Sequence, residues 1–300
     1  MFVVKYRKIW FIISAVLILL SAYAISTFGF KLSIDFKGGN ITEFKYIDSR
    51  PDKSTLEGEI EKLEFGGFSI RPSESDKFII RTKNLTELEI KELAEAASIQ
   101  GKHELVVERS NSVGPTAGAE LKSKAVKAII VVVLMIVIFI TFAFRGVSKP
   151  VASWKYGFAT IIALFHDVLI PTGIFVFLGQ YFGVEMDILF VTGLLAVLGY
   201  SVHDTIVVFD RVRENLRINY EKNISEDFEL TVGKSVSQTF ARSINTSLTI
   251  FITLLALYIF GSSSTEHFSL LLLIGVVIGT YSSIFVASPL LVTFYRLQKK

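Results

Sequence analysis

Six long apolar segments determine what this 300-residue chain can become. They cover residues 9–28, 125–145, 156–179, 188–209, 246–261 and 267–295. A run of about 20 apolar residues is long enough to cross the hydrocarbon core of a bilayer, which is about 30 Å thick. Apolar residues make up 51% of the chain and the mean hydropathy is +0.53, too high for a soluble domain of this length. We therefore predict a polytopic α-helical membrane protein with six transmembrane helices.

The basic residues are sorted between the connections that join these segments. The turns "GQYFGVEMD" and "GSSSTEH" contain no lysine or arginine. The opposite ends of the segments carry Lys5, Arg7, Lys8, Arg145, Lys149, Lys155, Arg211, Arg213, Arg217, Lys222, Lys234, Arg242, Arg296, Lys299 and Lys300. Because basic connections stay in the cytoplasm, both termini are predicted to be cytoplasmic. The formal net charge of +3 is too small to indicate a nucleic-acid partner.

The first apolar segment has two interpretations. Its basic start, its apolar run and the sequence "SAYAIS" are typical of a cleavable signal peptide with a small-residue cleavage site. The run is nevertheless long for such a peptide, whose apolar region usually has about 7–15 residues. We favour an uncleaved membrane anchor, and under either interpretation the residues that follow are exported.

The exported part is predicted to be one α+β domain over residues 29–124. Strands are predicted at 41–47, 68–72, 77–82 and 103–109, and helices at 54–65 and 84–98. Ser54 and Glu57 form the pattern of a capping box at the first helix. The order β-α-β-β-α-β is that of the ferredoxin-like unit, a fold that hosts unrelated functions.

Nothing in this domain has the pattern of an enzyme. It contains no nucleophile–base pair and no cluster of metal ligands, and the whole sequence lacks cysteine. We therefore expect no catalytic activity, no metal and no cofactor.

Two glycine-containing motifs flank the α+β domain. "IDFKGGN" holds Asp35, Gly38 and Gly39, and "SVGPTAGAEL" holds Gly114 and Pro115. Paired glycines permit backbone conformations that other residues resist. On their own, these residues indicate no more than a tight loop leaving the membrane.

The fourth and fifth segments carry polar residues where a bilayer makes them costly. A charged side chain at the centre of a membrane helix costs about 2.5–3.5 kcal/mol on insertion scales. Yet the fourth segment contains His203 and Asp204, and the fifth contains a stripe of Arg242, Thr246 and Thr249. One interpretation is that Asp204 holds helices together through a hydrogen bond or an ion pair. The other is a relay for protons, in which all five residues take part.

The third segment repeats the same dipeptide as His166 and Asp167. Pro171 cannot donate a backbone hydrogen bond to the carbonyl of Asp167, so acid and freed carbonyl lie together. A supporting role in the proton relay and a purely structural role both fit Asp167. In the sixth segment, Gly275 and Gly279 are spaced for close approach of another helix.

Four stretches, in order, resemble the SecF family of protein-export membrane subunits: "SIDFKGGN", "VGPTAGAEL", "GYSVHDTIVVFDRVREN" and "ARSINTSLTIF". The resemblance covers about residues 9–295 and includes Asp35, Gly38, Gly39, Gly114 and Pro115 as motif residues. It implies a multi-pass protein of the bacterial cytoplasmic membrane that assists export with proton-motive force. The implied partners are a SecD-like subunit, the SecYEG channel, YajC, the exported polypeptide and the lipid bilayer, with no nucleic acid.

The resemblance also assigns roles to the membrane residues. It equates Asp204 with a membrane acid implicated in proton movement, and Arg242 with a basic residue thought to cooperate with that acid. His203 departs from the family, which usually has asparagine there. An imidazole ordinarily titrates near pH 6.5, at about the pH where it can relay protons, or it can replace the amide as a neutral hydrogen-bonding group.

The resulting division is a first helix within residues 1–28, an external domain over 29–124 and a five-helix bundle over 125–300. A cytoplasmic loop is predicted at about 210–245. Two other functions compete with protein export: half of a proton-coupled small-solute exporter of the same superfamily, and an assembly factor without ion coupling. A full exporter of that superfamily usually has two such repeats, whereas this chain has one, so a partner half is expected.

The predicted topology can be tested by labelling single cysteines, because the natural sequence has none. Ser75→Cys should react with an impermeant maleimide from the external side of the membrane, and Lys222→Cys should react from the cytoplasmic side. Labelling of position 75 from the cytoplasmic side alone would contradict the orientation.

Overall fold

The computed structural model describes residues 2–73, 75–144 and 151–298. Arg145, Lys149, Lys299 and Lys300, which contribute to the predicted charge asymmetry, lie outside these ranges. The described elements are α1 (Phe2–Lys5), α2 (Arg7–Phe28), α3 (Ile34–Lys37), β1 (Gly39–Tyr46), α4 (Lys53–Glu61), β2 (Ser69–Ser73), β3 (Lys77–Thr82), α5 (Glu87–Ala97), β4 (Leu105–Val113), α6 (Pro115–Ala143), α7 (Ser153–Phe182), α8 (Ile188–Glu221), α9 (Phe228–Phe260), α10 (Ser263–Ser282), a π-helical turn (Ser283–Ala287) and α11 (Ser288–Gln298).

The described chain falls into two compact units. One is Leu32–Val126, and the other combines the chain up to Lys31 with the chain from Lys127 onward. Six helical segments in the described ranges are long and apolar enough to cross a membrane: α2, α6, α7, α8, α9 and the run Thr265–Gln298. This confirms the polytopic helical fold and the six predicted spans.

The smaller unit has the predicted ferredoxin-like topology. Its four strands are all antiparallel in the order β2-β3-β1-β4, with Thr42 opposite Ile80 in the β1–β3 pair. One face of the sheet buries Phe44, Phe78 and Ile80 against Leu56 of α4 and Leu93 of α5. Alternating apolar residues in the strands thus supply one side of a core and the apolar stripes of two helices supply the other.

The predicted capping box at Ser54 and Glu57 is wrong. Helix α4 begins one residue earlier, with Asp52 as its N-cap residue. A capping box occurs instead at α5, where Thr86 and Glu89 bond to each other's backbone N–H groups. The sequence pattern fits both sites, and the backbone geometry selects the second.

The two glycine motifs meet in this unit. Gly38 and Gly39 have φ angles of +79° and +137°, a region that side chains rarely adopt. A Cβ atom on Gly38 would lie 2.9 Å from Cα of Pro115, and one on Gly39 would lie 2.6 Å from the carbonyl oxygen of Thr82. Asp35 lies in α3, whose N-cap residue Ser33 accepts a hydrogen bond from its N–H group. The paired glycines therefore let β1 begin directly against the start of α6.

In the helical unit, the predicted loop at about 210–245 is largely helical. Helices α8 and α9 continue through it, and only residues 222–227 lie outside a helix. The reason is amphipathicity: Val212 of α8 and Val232 and Val236 of α9 are buried in one cluster with Val3 and Val4. Glu229 forms ion pairs with Arg7, at 2.7 Å, and with Arg296, and so links α9 to α2 and α11.

The sixth span is interrupted by the π-helical turn at Ser283–Ala287. Pro289 has no backbone N–H and cannot donate to the carbonyl of Phe285 four residues earlier. The Ser288 hydroxyl donates to the carbonyl of Ser283 at 2.9 Å and satisfies one carbonyl of the widened turn. Such turns occur often at functional sites.

Gly39→Ala should destabilise the smaller unit by about 1–3 kcal/mol, because it combines a strained φ with a backbone clash. Hydrogen exchange of the β1 amides in the full chain measures the effect. Gly58→Ala is the matched control, since a Cβ atom at position 58 in α4 meets nothing within 4 Å. Equal exchange rates in the two variants would contradict this assignment.

Candidate functional site

Helices α8 and α10 approach each other at three levels, each marked by a glycine. A Cβ atom on Gly193 would lie 2.7 Å from Cδ2 of Leu271. One on Gly275 would lie 2.1 Å from Cγ2 of Val197, and one on Gly279 would lie 3.0 Å from Cβ of Ser201. The predicted close contact at Gly275 and Gly279 is thus confirmed, with α8 as the partner helix. The contact residues recur every four positions on both helices, at 193, 197 and 201 on α8 and at 271, 275 and 279 on α10. This spacing sets how the next turns of the two helices meet.

The turn that follows brings Asp204 of α8 against two serine hydroxyls. Ser243 of α9 donates to Oδ1 at 2.6 Å, and Ser283 of the π-helical turn donates to Oδ2 at 2.5 Å. The aspartate is buried, with 7% of its surface exposed. Asp204 forms no ion pair with any described residue, so neutral hydroxyls alone solvate it.

Asp167 of α7 lies in a second, fully buried cluster. Its Oδ1 atom lies 2.8 Å from Nδ1 of His166, and its Oδ2 atom accepts hydrogen bonds from Ser201 and, at 2.6 Å, from Ser282. The His166 ring stacks on Tyr281 with the centroids 5.8 Å apart. Its Nε2 atom is buried and has no hydrogen-bond partner among the described residues. Two hydroxyl donors and an imidazole therefore surround Asp167, whereas Asp204 has two hydroxyl donors.

Further hydroxyls extend from the Asp204 cluster. Ser247 donates to the carbonyl of Ser243 at 2.7 Å, and its hydroxyl lies 2.6 Å from that of Thr280 and 2.5 Å from that of Tyr200. Hydroxyl groups donate and accept hydrogen bonds, and they reorient by rotation about one bond. Such an arrangement can pass or accommodate a proton but contains no activated nucleophile.

The other predicted relay residues lie on the outer surface of the bundle. Arg242, Thr246 and Thr249 are exposed on α9, and His203 is exposed on α8. Among the described residues, the Thr249 hydroxyl bonds only to the carbonyl of Asn245 in its own helix, at 2.9 Å. The structure does not bring Arg242 to Asp204, because Ser243, about 100° further round the helix, occupies that direction. Likewise His203 points away from the site that Asp204 enters.

Exposed small or polar residues follow one side of α8 and one side of α9, and we call them together the α8–α9 face. Its members on α8 are spaced three or four residues apart, and those on α9 lie within one helical stripe that includes the adjacent pair Asn245 and Thr246. They are Thr192, Ala196, Gly199, His203, Arg242, Asn245, Thr246, Thr249 and Thr253. Lipid-facing surfaces are normally apolar, and polar residues within a membrane usually face protein or water.

Sequence analysis identified both acids, but it missed the serines Ser243, Ser282 and Ser283 that bond to them. A signal was present, because Ser282 and Ser283 form a serine pair within a predicted membrane segment that also contains a proline. Nothing in the sequence fixes the helix rotation that selects Ser243 over Arg242. Within the described ranges, no three histidine, aspartate or glutamate side chains are grouped to hold a metal ion.

Two protein-family models match segments of the chain. The model described as "Protein export membrane protein SecD/SecF, C-terminal" matches residues 94–297. The model described as "SecD/SecF GG Motif" matches residues 23–46, which include Gly38 and Gly39.

Curated relatives are similar over nearly the whole chain. Protein translocase subunit SecF of Thermobaculum terrenum is 41% identical over 97% of this chain and 93% of that protein. The subunit of the same name from Sebaldella termitidis is 37% identical over 98% of this chain and 92% of that protein.

Two solved structures resemble the fold. SecDF from Thermus thermophilus, described as a translocon-associated membrane protein, has a TM-score of 0.83 at 30% identity. SecDF in a super-membrane-facing form has a TM-score of 0.66 at 31% identity. Each match covers 99% of this chain but only 38% of the solved chain.

Gly275→Leu should separate α8 from α10, because the added side chain would overlap Val197. We expect a loss of stability of a few kcal/mol, as in overpacked cores. Thermal unfolding of the purified chain in detergent measures it. Gly199→Ala is the control, since its Cβ atom would meet nothing within 4 Å. Equal midpoints for the two variants would show that the close contact is unimportant.

Proposed function

The chain belongs to the SecF family of protein translocase subunits, and we propose that it assists protein translocation by using proton-motive force together with a SecD-like partner. In this proposal it lies in the bacterial cytoplasmic membrane with both termini in the cytoplasm. The positive charge of the connections supports that orientation.

The observation that carries the proposal is the surroundings of Asp204. A buried carboxylate is costly in a membrane unless a cation or several donors compensate it. Asp204 has two hydroxyl donors, Ser243 and Ser283, and no ion pair with a described residue. Because a hydroxyl also accepts hydrogen bonds, the same two serines suit the protonated acid. The site therefore accommodates both protonation states, which a proton carrier requires.

We assign the remaining relay residues to a hydrated seam at the α8–α9 face. Arg242, Thr246, Thr249 and His203 are exposed there, next to the helices that enclose Asp204. An arginine in such a seam favours the ionised acid when rotation or a partner brings the two groups together. Asp167 acts as a supporting acid from the interior of the bundle. In this assignment His203 modulates the seam and is not essential.

A SecD-like partner is proposed to cover the α8–α9 face. Small residues such as Ala196 and Gly199 allow a second helix to approach closely, and the threonines can bond across the contact. The solved SecDF chains that resemble this protein are longer, since it spans only 38% of them. We propose that a separate subunit supplies the additional part.

The α+β unit is proposed to act outside the membrane on polypeptide that leaves the SecYEG channel, with YajC as a further associated protein. Its strand β4 forms one edge of the sheet and has nine residues, Leu105–Val113, most of them exposed. An extended peptide can add to such an edge through main-chain hydrogen bonds. This mode binds chains of unrelated sequence, as an export factor must.

Asp204→Asn should abolish stimulation of export by proton-motive force while leaving expression and partner binding intact. The amide keeps the size and hydrogen bonding but cannot titrate. Export of a secreted protein into membrane vesicles, with and without a proton-motive force, measures the effect.

Asp210→Asn is the matched control on the same helix, because Asp210 is exposed and pairs only with Arg213, at 2.6 Å, among the described residues. That variant should keep the stimulation. Normal proton-dependent export by Asp204→Asn would show that Asp204 only holds helices together.

A further inference from the structure

The two aspartates are bonded to adjacent residues of one backbone turn. Ser282 donates to Oδ2 of Asp167 at 2.6 Å, and Ser283 donates to Oδ2 of Asp204 at 2.5 Å. Helix α8 makes the same kind of link, because Ser201 donates to Asp167 and Asp204 lies one helical turn further on. The last residue of α10 therefore bonds to one acid, and the first residue of the π-helical turn bonds to the other.

Each of the two serines also has a second acceptor. The Ser282 hydroxyl lies 3.1 Å from the carbonyl of Gly279, and the Ser283 hydroxyl lies 3.1 Å from that of Thr280. A serine that no longer bonds to its aspartate can therefore donate to its own helix. Releasing either carboxylate leaves no hydroxyl hydrogen unsatisfied, so the change has a low cost.

We propose that Ser282 and Ser283 are positioning residues that couple protonation of Asp204 to protonation of Asp167. When Oδ2 of Asp204 binds a proton, its new O–H donates to the Ser283 oxygen, and the Ser283 hydroxyl turns to the carbonyl of Thr280. Because Ser283 is then no longer held by a carboxylate, the turn is free to shift, and in the proposed step it carries Ser282 away from Asp167. Asp167 then has one donor fewer and binds a proton more tightly. This inference rests on the proposed function, since it takes Asp204 as the proton carrier.

The sign of the coupling separates this mechanism from direct electrostatics. Between two carboxylates, loss of one negative charge makes the other bind its proton less tightly. In the proposed coupling through the serines, loss of the negative charge at Asp204 instead makes Asp167 bind its proton more tightly. The π-helical turn suits this role because its hydrogen bonds are already widened and Pro289 removes one backbone donor from it.

Within the described ranges, few other groups near the acids can titrate. His166 faces Asp167 from α7, Tyr281 of α10 covers the His166 ring, and Tyr200 of α8 bonds to Ser247. Helix α9 contributes the hydroxyls of Ser243 and Ser247, and α2 contributes that of Ser14, which bonds to Tyr281 at 3.2 Å. Arg242 lies on the exposed face of α9. An experiment on the two acids must therefore distinguish their titration from that of His166, Tyr200 and Tyr281.

Infrared titration of the purified complex of this chain with its partner tests the proposal. The carboxyl band of Asp167 is identified as the band lost in Asp167→Asn, which separates it from the histidine and tyrosine signals. Asparagine at position 204 imitates the protonated acid. Asp204→Asn should therefore raise the proton affinity of Asp167 by about fivefold, which moves its titration midpoint to higher pH. This is the low end of the usual coupling between sites.

The serine variants decide the mechanism. In a Ser282→Ala/Ser283→Ala background, Asp204→Asn should no longer raise the midpoint of Asp167 and should lower it instead. If the double variant does not assemble with its partner, the single variant Ser283→Ala gives the same test. Ser269→Ala is the control background, because Ser269 is buried on α10 and bonds only to the carbonyl of Thr265 among the described residues, at 2.8 Å. It should leave the upward shift intact.

Two results would overturn different claims. An upward shift that persists without both serines, or a downward shift in the natural background, would exclude coupling through the π-helical turn and leave the proposed function standing. Absence of any titrating band that disappears in Asp204→Asn would instead contradict the proposed function itself.

Discussion

A carboxyl group buried between membrane helices is the central physical constraint on this protein. Inserting an aspartate there costs several kcal/mol unless other groups solvate it. The helical unit supplies them from two directions: Ser243 from α9 and Ser283 from the π-helical turn. That geometry requires α8 and α10 to be in direct contact, which the small residues at Gly193, Gly275 and Gly279 permit. The glycine contacts and the acid site are therefore parts of one arrangement.

The larger features of the fold could be predicted because each depends on a local pattern. Apolar length defines the six spans, and alternation with helical stripes defines the ferredoxin-like unit. The direction in which a single side chain points from its helix could not be predicted so well. A rotation of about 100° decides whether Arg242 or Ser243 meets Asp204, and neighbouring helices set that rotation. The π-helical turn also escaped prediction, since it depends on how Pro289 and Ser288 share the carbonyls before them.

The predicted loop at about 210–245 also depends on contacts that the local sequence does not specify. Its charges indicated a solvated connection, but its apolar residues form a helical pair whose Val212, Val232 and Val236 share a core with the start of the chain. The ion pairs of Glu229 with Arg7 and Arg296 fasten that end. The π-helical turn contributes Ile284 and Ala287 to this cluster, and α11 contributes Leu291 and Val292. One proton crossing 100 mV supplies about 2.3 kcal/mol, enough to bias an equilibrium between two conformations.

Proton flux through the reconstituted complex tests the role of Asp204 most directly, because it needs no exported substrate. Vesicles that contain this chain and its partner are given a membrane potential, and a trapped dye reports the internal pH. If Asp204 carries protons, the natural complex should acidify or alkalinise the vesicle interior according to the sign of the potential. The Asp204→Asn complex should not differ from empty vesicles. Equal flux through the natural and Asp204→Asn complexes would contradict the assignment of Asp204 as the proton carrier.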